Sequence, residues 1–382
     1  MLDKKTHARL TKKVRCALTK FTREHVLTEQ GSTHLDGKEI VRAKHSLQRS
    51  EVLQKSAKFI SEHSSTLIKH FASGHEVNPD RIEPVLQEVG SSSLEARIFR
   101  LATLTWSVPV SEGYGRRMRF LIWDAYNDRL IGILAIGDPV FNLKVRDNLI
   151  GWDVEARKQR LIGVMDAFVL GALPPYNRLL GGKLVSCLVR SKEVKDAFRR
   201  RYAKATSIIT QEDKNPKLVL VTTSSSLGRS SVYNRLRLGG EDYFSRIGYT
   251  AGYGHFHIPP DLFADMRQLL SNAGHSYADG NRFGNGPNWK FRAIRAALEM
   301  VGFDRDFLHH GIKREVFQCK LASNAFEVLR GEQKRPNYSN LLSVAEIGQM
   351  ALDRWILPRA KSQPDFQNWV KEDLLASLTS GV

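Results

Sequence analysis

The spacing of apolar residues changes along the chain, and each spacing predicts a different kind of element. The run from Leu161 to Leu173 is mostly apolar and stops at Pro174 and Pro175, which predicts a buried strand. After a short turn, apolar residues recur at helical spacing from Leu184 to Phe198. The chain is therefore predicted to form a strand, a glycine-bearing turn and a helix at its centre.

The residues on either side of this unit predict further strands. Met118–Tyr126 and Leu130–Ile136 are apolar runs separated by Asn127-Asp128, a pair typical of a hairpin turn. Ile98–Val110 is read as another strand, and Leu218–Thr223 as a short buried one. A short helix is expected at Val232–Leu238. Strands that alternate with helices indicate a mixed α/β layer.

Both ends of the chain have the spacing of helices. Leu10, Val14, Leu18 and Phe21 follow helical spacing near the N-terminus, and Val316, Leu321, Ala325 and Leu329 follow it near the C-terminus. The predicted class is α+β, in three parts: a basic helical region over residues 1–95, a mixed α/β core over 96–260, and a mostly helical region over 261–382.

The charge of the chain predicts an anionic partner. Its 382 residues carry a formal net charge of +18, which attracts nucleic acid or another polyanion. Arg199, Arg200, Arg201 and Arg229 are the candidate nucleic-acid-binding residues. The apolar runs are too short to span a membrane. Three scattered cysteines favour a reducing cytoplasm, and neither they nor the histidines have the spacing of a metal site.

The turn after the central strand is a candidate anion site. Arg178, Gly181, Gly182 and Lys183 lie where a helix N-terminus would offer free N–H groups to a phosphate. The alternative is that the two glycines only permit close packing of strand and helix. The run Arg178–Lys183 resembles the coenzyme A loop of the GNAT acetyltransferases, [QR]-x-x-G-x-[GA], with Lys183 departing from it. That resemblance implies a GNAT-like core and acetyl-CoA as a cofactor.

Five separated motifs resemble a second family, the DruA proteins. They occur in the family's order and are GDPVFNLKVRDNLIGWD (137–153), LPPYNRLLGGKL (173–184), TTSSSLGRSSVYNRL (222–236), IGYTAGYGHFHIP (247–259) and HHGIKREVF (309–317). This resemblance implies a component of the Druantia anti-phage defence system, with other Druantia proteins as partners. It implies no particular chemistry.

Several side chains are candidates for catalysis. A metal-dependent nuclease needs converging carboxylates, for which Asp166 and Asp138 are the candidates, with Asp124 and Asp153 nearby in sequence. Asp166 interrupts an apolar strand, where a charge is unfavourable. The other candidates are Tyr233 as a general acid, which could equally be a packing residue, and His255 and His257, which would share one face of a strand. Ser230 and Ser231 are expected to cap the following helix.

Three functions remain open from the sequence. The first is a basic scaffold with a GNAT-like core that binds nucleic acid or partner proteins in a defence system. The second is an acetyl-CoA-dependent acyltransferase, and the third a metal-dependent nuclease or transposase-like protein. Charge and family resemblance favour the first, and whether the protein is an enzyme is left undecided.

Overall fold

A computed structural model describes residues 4–31, 37–91, 93–110, 115–203, 216–254, 258–279, 287–309 and 313–379. Within these residues the strands are β1 (Pro84–Glu88), β2 (Arg117–Asp124), β3 (Arg129–Gly137), β4 (Val164–Ala172), β5 (Leu220–Ser224), β6 (Arg237–Leu238), β7 (Glu241–Asp242), β8 (Ser245–Tyr249) and β9 (Glu315–Lys320). The α-helices are α1 (Lys4–Gly31), α2 (Gly37–Lys55), α3 (Ala57–Leu67), α4 (Leu94–Leu104), α5 (Lys144–Ile150), α6 (Val154–Arg160), α7 (Gly181–Leu188), α8 (Lys192–Tyr202), α9 (Pro260–Asn272), α10 (Pro287–Met300), α11 (Ala325–Arg330), α12 (Val344–Ala351), α13 (Leu357–Ser362) and α14 (Glu372–Thr379).

The chain divides into two compact units. The smaller contains Met1–Lys44 and Ala251–Lys313, and the larger contains His45–Thr250 and Arg314–Val382. The three parts expected from the sequence stay a prediction. Residues 45–95 belong to the larger unit, where apolar side chains of α3 pack with the sheet. The mixed content of helices and strands confirms the α+β class.

The larger unit is built on a seven-stranded sheet in the order β1-β2-β3-β4-β5-β9-β8. Its neighbouring strands are antiparallel except β4 and β5, which run parallel and pair only from Val164 to Asp166 on β4. Beyond Asp166, β4 continues along β3 without β5 beside it. The two strands therefore separate at the middle of the sheet.

Helices cover both faces of this sheet. On one face, Met165 and Ala167 pack in a core with residues of α7, α8 and α12. On the other, Leu121 and Val169 pack against α3 and α4. Because both faces are covered, β3 is buried along almost its whole length.

The smaller unit has a separate core. Val14 and Leu18 of α1 are fully buried there against α9 and α10, whose apolar residues repeat at helical spacing. The spacing predicted for α1 is thus confirmed.

The strand predicted over Ile98–Val110 was wrong. The segment is mainly α4, which begins after Ser93, whose Oγ accepts a hydrogen bond from the Ala96 N–H. Ile98, Phe99, Leu101 and Ala102 are its buried residues, the pattern of one helix face. The packing of this apolar face against the sheet decides in favour of a helix.

Two further predictions need correction. Val316 and Leu321 were assigned to helical spacing, yet Glu315–Lys320 is β9, an interior strand of the sheet. The helix expected at Val232–Leu238 is one 3-10 turn, Tyr233–Arg235, followed by β6. The central strand and the hairpin of β2 and β3 are confirmed. The single helix predicted through Leu184–Phe198 is two helices, α7 and α8, and the second begins after Ser191, whose Oγ accepts a hydrogen bond from the Val194 N–H.

Candidate functional site

An open groove of about 760 Å³ lies on the larger unit beside α4. Side chains of α3, α4 and β2 line it, together with Phe168 of β4. Phe168 is the unpaired residue of a β-bulge, because Ala135 pairs with Val169 and Ile136 with Ala167. The groove therefore reaches the part of β4 that is no longer paired with β5.

Local amphipathicity directs four arginines into the groove. In α4, the buried residues face the sheet and leave Arg97 and Arg100 on the exposed side, one helical turn apart. In β2, Met118 and Phe120 point into the core, so Arg117 and Arg119 point the other way. All four side chains line the groove.

Three of these guanidinium groups lie over phenylalanine rings. The distances from guanidinium carbon to ring centroid are 4.1 Å for Arg100 over Phe59 and 5.6 Å for Arg119 over Phe99. Arg117 lies 5.3 Å from the centroid of Phe168. Each ring attracts the cation and restricts its plane while leaving N–H donors available.

The groove carries uncompensated positive charge. Among the residues described, Arg97, Arg100 and Arg119 make no ion pair with a carboxylate. Burial lowers the pKa of Arg119, and the nearby charge of Arg201 lowers it further. Arginine remains charged despite such a shift, so the groove is an anion-attracting surface.

The arginines predicted from the sequence lie beside this groove or away from it. Arg200 and Arg201 share Glu88, at 3.8 and 3.0 Å, and Arg199 lies 3.5 Å from Asp196. They end α8, where the helix dipole favours positive charge.

Arg229 is exposed in the loop after β5. Arg97, Arg100 and Arg119 were not singled out from the sequence, since only the correct assignment of α4 would have placed Arg97 and Arg100 on one face.

The side chains of the candidate anion site contact the C-terminal segment. Arg178 Nη1 donates to the carbonyl oxygen of Asp365 at 3.3 Å, and Lys183 Nζ lies 5.3 Å from the centroid of the Trp355 ring. A Cβ on Gly181 would lie 2.6 Å from the Tyr176 carbonyl oxygen, so glycine is needed there for close packing. A Cβ on Gly182 would meet nothing within 4 Å.

The four candidate carboxylates have separate partners. Asp138 accepts hydrogen bonds from Arg116 at 2.8 Å, and Asp153 caps α6 through the Ala156 N–H. Asp124 is fully buried and accepts from the Tyr176 hydroxyl at 2.8 Å. Within the described ranges, the structure contains no group of three or more His, Cys, Asp or Glu side chains that could hold a metal.

Asp166 lies at the end of the short parallel pairing. Its Oδ1 accepts a hydrogen bond from Thr222 Oγ1 at 2.7 Å. Burial raises the pKa of Asp166 to about 6, although the Thr222 hydrogen bond and the charge of Arg146 act in the opposite direction. Arg146 is itself fully buried and donates to Asp147 Oδ1 at 2.6 and 2.8 Å. Among the residues that the structure describes, no lysine, arginine or histidine therefore forms an ion pair with Asp166.

Tyr233 packs within an aromatic cluster. Its ring centroid lies 4.9 Å from that of Phe244 and 5.3 Å from that of Phe317. Burial raises the pKa of its hydroxyl to about 12. Ser230 accepts a hydrogen bond from the Tyr233 N–H at 3.1 Å. The cap predicted at Ser230 and Ser231 is not confirmed, because the 3-10 turn that follows has Val232 as its N-cap residue and no side-chain cap there. His255 and His257 lie outside the described residues.

Two of the five sequence motifs meet at a buried carboxylate. Glu315 is 2% exposed and accepts hydrogen bonds from the Ser230 N–H at 2.9 Å and from Asn234 Nδ2 at 3.0 Å. Arg246 lies 3.6 Å from its other oxygen. These contacts attach the loop after β5, and Arg246 of β8, to β9.

Comparison with known proteins identifies the family. The family described as Druantia protein DruA matches residues 35–331. A curated protein of Escherichia coli (strain UMEA 4076-1), named Druantia protein DruA, is 51% identical over 371 residues, covering 96% of this chain and 91% of its own length. No solved structure matches.

The protein therefore belongs to the class of antiviral defence components. The chain belongs to the DruA family of Druantia proteins, as its five motifs indicated. In the part of the chain that the structure describes, no helix is long and apolar enough to cross a membrane.

Proposed function

We propose that this DruA-family chain binds nucleic acid through the arginine groove of its larger unit. It would act in the cytoplasm as a scaffold, together with other Druantia proteins. The single observation that carries the proposal is the set of guanidinium groups that stand over phenylalanine rings in a groove where, among the described residues, Arg97, Arg100 and Arg119 have no carboxylate partner. Guanidinium groups fixed in this way are suited to phosphate oxygens, which accept two N–H bonds at once.

The test is a titration of labelled DNA and RNA at several salt concentrations, read by fluorescence anisotropy. Each phosphate contact contributes about 0.9 to the slope of log K against log salt on duplex DNA. The variant Arg97→Gln/Arg100→Gln/Arg119→Gln is expected to reduce that slope by about 2 to 3, because about one contact is lost per arginine.

A matched variant separates the groove from net charge. Lys158→Gln/Arg237→Gln/Arg330→Gln removes the same charge, but each of these residues already pairs with a carboxylate on the surface. This control is expected to leave the slope almost unchanged. Equal losses in both variants, or no binding by the parent protein, would contradict the proposal.

A second candidate is the acyltransferase. Two features of the sheet support a GNAT-like core of the kind expected from the sequence. They are the strand order β1-β2-β3-β4-β5-β9-β8 and the parallel pairing of β4 with β5, which ends where the two strands separate. Coenzyme A at the turn before α7 would have to displace the contacts of Arg178 with Asp365 and of Lys183 with Trp355. Calorimetric titration with coenzyme A tests this candidate, since binding that is lost in Arg178→Ala/Lys183→Ala would support it.

A further inference from the structure

The smaller unit carries a second basic surface, on α1. From Lys4 to Lys20 this helix contains seven lysines and arginines and no acidic residue. Its apolar side is used in the core of the unit, where Val14 and Leu18 are fully buried. Between His7 and Lys20, most of the other side chains of α1 are exposed.

A groove of about 900 Å³ runs along this open side. Ala8, Lys12, Arg15 and Thr19 lie on successive turns of one face and line it, with Met300 of α10 beside them. The distance along the helix from Ala8 to Thr19 is about 17 Å, which equals the rise of about five base pairs of duplex DNA.

The two cations at the centre of this face are exposed and unpaired. Among the described residues, neither Lys12 nor Arg15 makes an ion pair, whereas Lys13 on another side of the helix pairs with Asp265 at 2.7 Å. The small side chains of Ala8 and Thr19 leave room for a backbone to approach. This geometry suits an extended anion that follows the helix.

Charge decides between the possible occupants. A second copy of α1 would bring Lys12 and Arg15 against their own counterparts, and like charges at close range are unfavourable. A phosphate backbone instead offers a regular series of negative charges and releases its counterions on binding. The surface therefore fits nucleic acid better than a helix of the same chain.

We propose that α1 binds the phosphate backbone of nucleic acid at Lys12 and Arg15, as a second contact surface in addition to the arginine groove of the larger unit. This inference rests on the proposed function, because it adds a second contact surface for the nucleic acid that the arginine groove is proposed to bind. Two surfaces on one chain raise the apparent affinity for a molecule long enough to reach both, since the second contact forms within an existing complex.

The test uses the full chain and duplex DNA several helical turns long. Lys12→Gln/Arg15→Gln is expected to reduce the salt slope by about 2 and the affinity at about 0.1 M salt by at least about tenfold. Glutamine preserves helix propensity, and neither cation is buried, so thermal melting should match the parent. The matched control is Lys13→Gln/Lys58→Gln, which removes the same charge from two lysines held by Asp265 and Glu62.

The outcomes distinguish the two proposals. If the parent binds DNA, and Lys12→Gln/Arg15→Gln lowers the affinity far more than its control does, the second surface is supported. If the parent binds but only the variant of the arginine groove weakens, the second surface is refuted and the first remains. If the parent binds neither DNA nor RNA, both are refuted.

Discussion

Replacing Asp166 by asparagine should stabilise the protein more as the pH rises. The pKa of this carboxyl is about 6 in the folded protein, against an ordinary value of 3.8, chiefly because burial disfavours its charged form. Because the pKa is raised in the folded protein, the contribution of Asp166 to stability is fully present below about pH 4 and is lost as the pH rises through about 6. The amide introduced by Asp166→Asn does not titrate, so this loss would disappear in the variant.

The magnitude follows from the difference between the two pKa values. Linkage predicts that ionisation of Asp166 lowers the free energy of unfolding by about 1 kcal/mol at about pH 4.5 and by about 3 kcal/mol at about pH 8. The advantage of Asp166→Asn should thus grow by about 2 kcal/mol over this range. Any constant effect of the amide on packing cancels from that difference.

The assay is urea unfolding followed by tryptophan fluorescence at several pH values. Five of the six tryptophans lie in the larger unit, which contains Asp166. Asp242→Asn is the control, since that carboxylate is exposed on β7 and paired with Arg237 at 3.0 Å. An Asp166→Asn advantage that stays constant or shrinks as the pH rises would refute the reasoning.

Three further substitutions test other parts of the structure. Burial by itself raises the pKa of Glu76, but hydrogen bonds from Ser73, Arg129 and Lys371 lower it to about 2. Glu76→Gln should therefore lower the free energy of unfolding by about 1 to 3 kcal/mol at neutral pH. In thermal melts, the stabilities of variant and parent should converge as the pH falls below about 4. Arg146→Met should lower the free energy of unfolding by about 3 to 5 kcal/mol, because the buried carboxylate of Asp147 then keeps only Arg157 as a partner cation. An unchanged midpoint of urea unfolding would contradict this. Phe366→Ala should lose about 3 to 5 kcal/mol, since its ring is 1% exposed within the main core, and the C-terminal segment should then become sensitive to proteolysis.

The sequence determined those elements whose signals are local. The strand Val164–Ala172 and the hairpin around Asn127-Asp128 depend on neighbouring residues, so their patterns were read correctly. The motif order determined the family before the comparison was made. The net charge likewise predicted an anionic partner, which stays a prediction until binding is measured.

Tertiary structure decided which elements and charges meet. β9 was read as helix because its residues follow either spacing, and only pairing with β5, nearly a hundred residues earlier, makes it a strand. Glu88 is joined to Arg201 across 113 residues, so the arginine run alone could not reveal which charges were already compensated. The arginine groove combines separate helices and strands for the same reason: packing places distant side chains together, whereas local sequence determines only the face of the element on which each one lies.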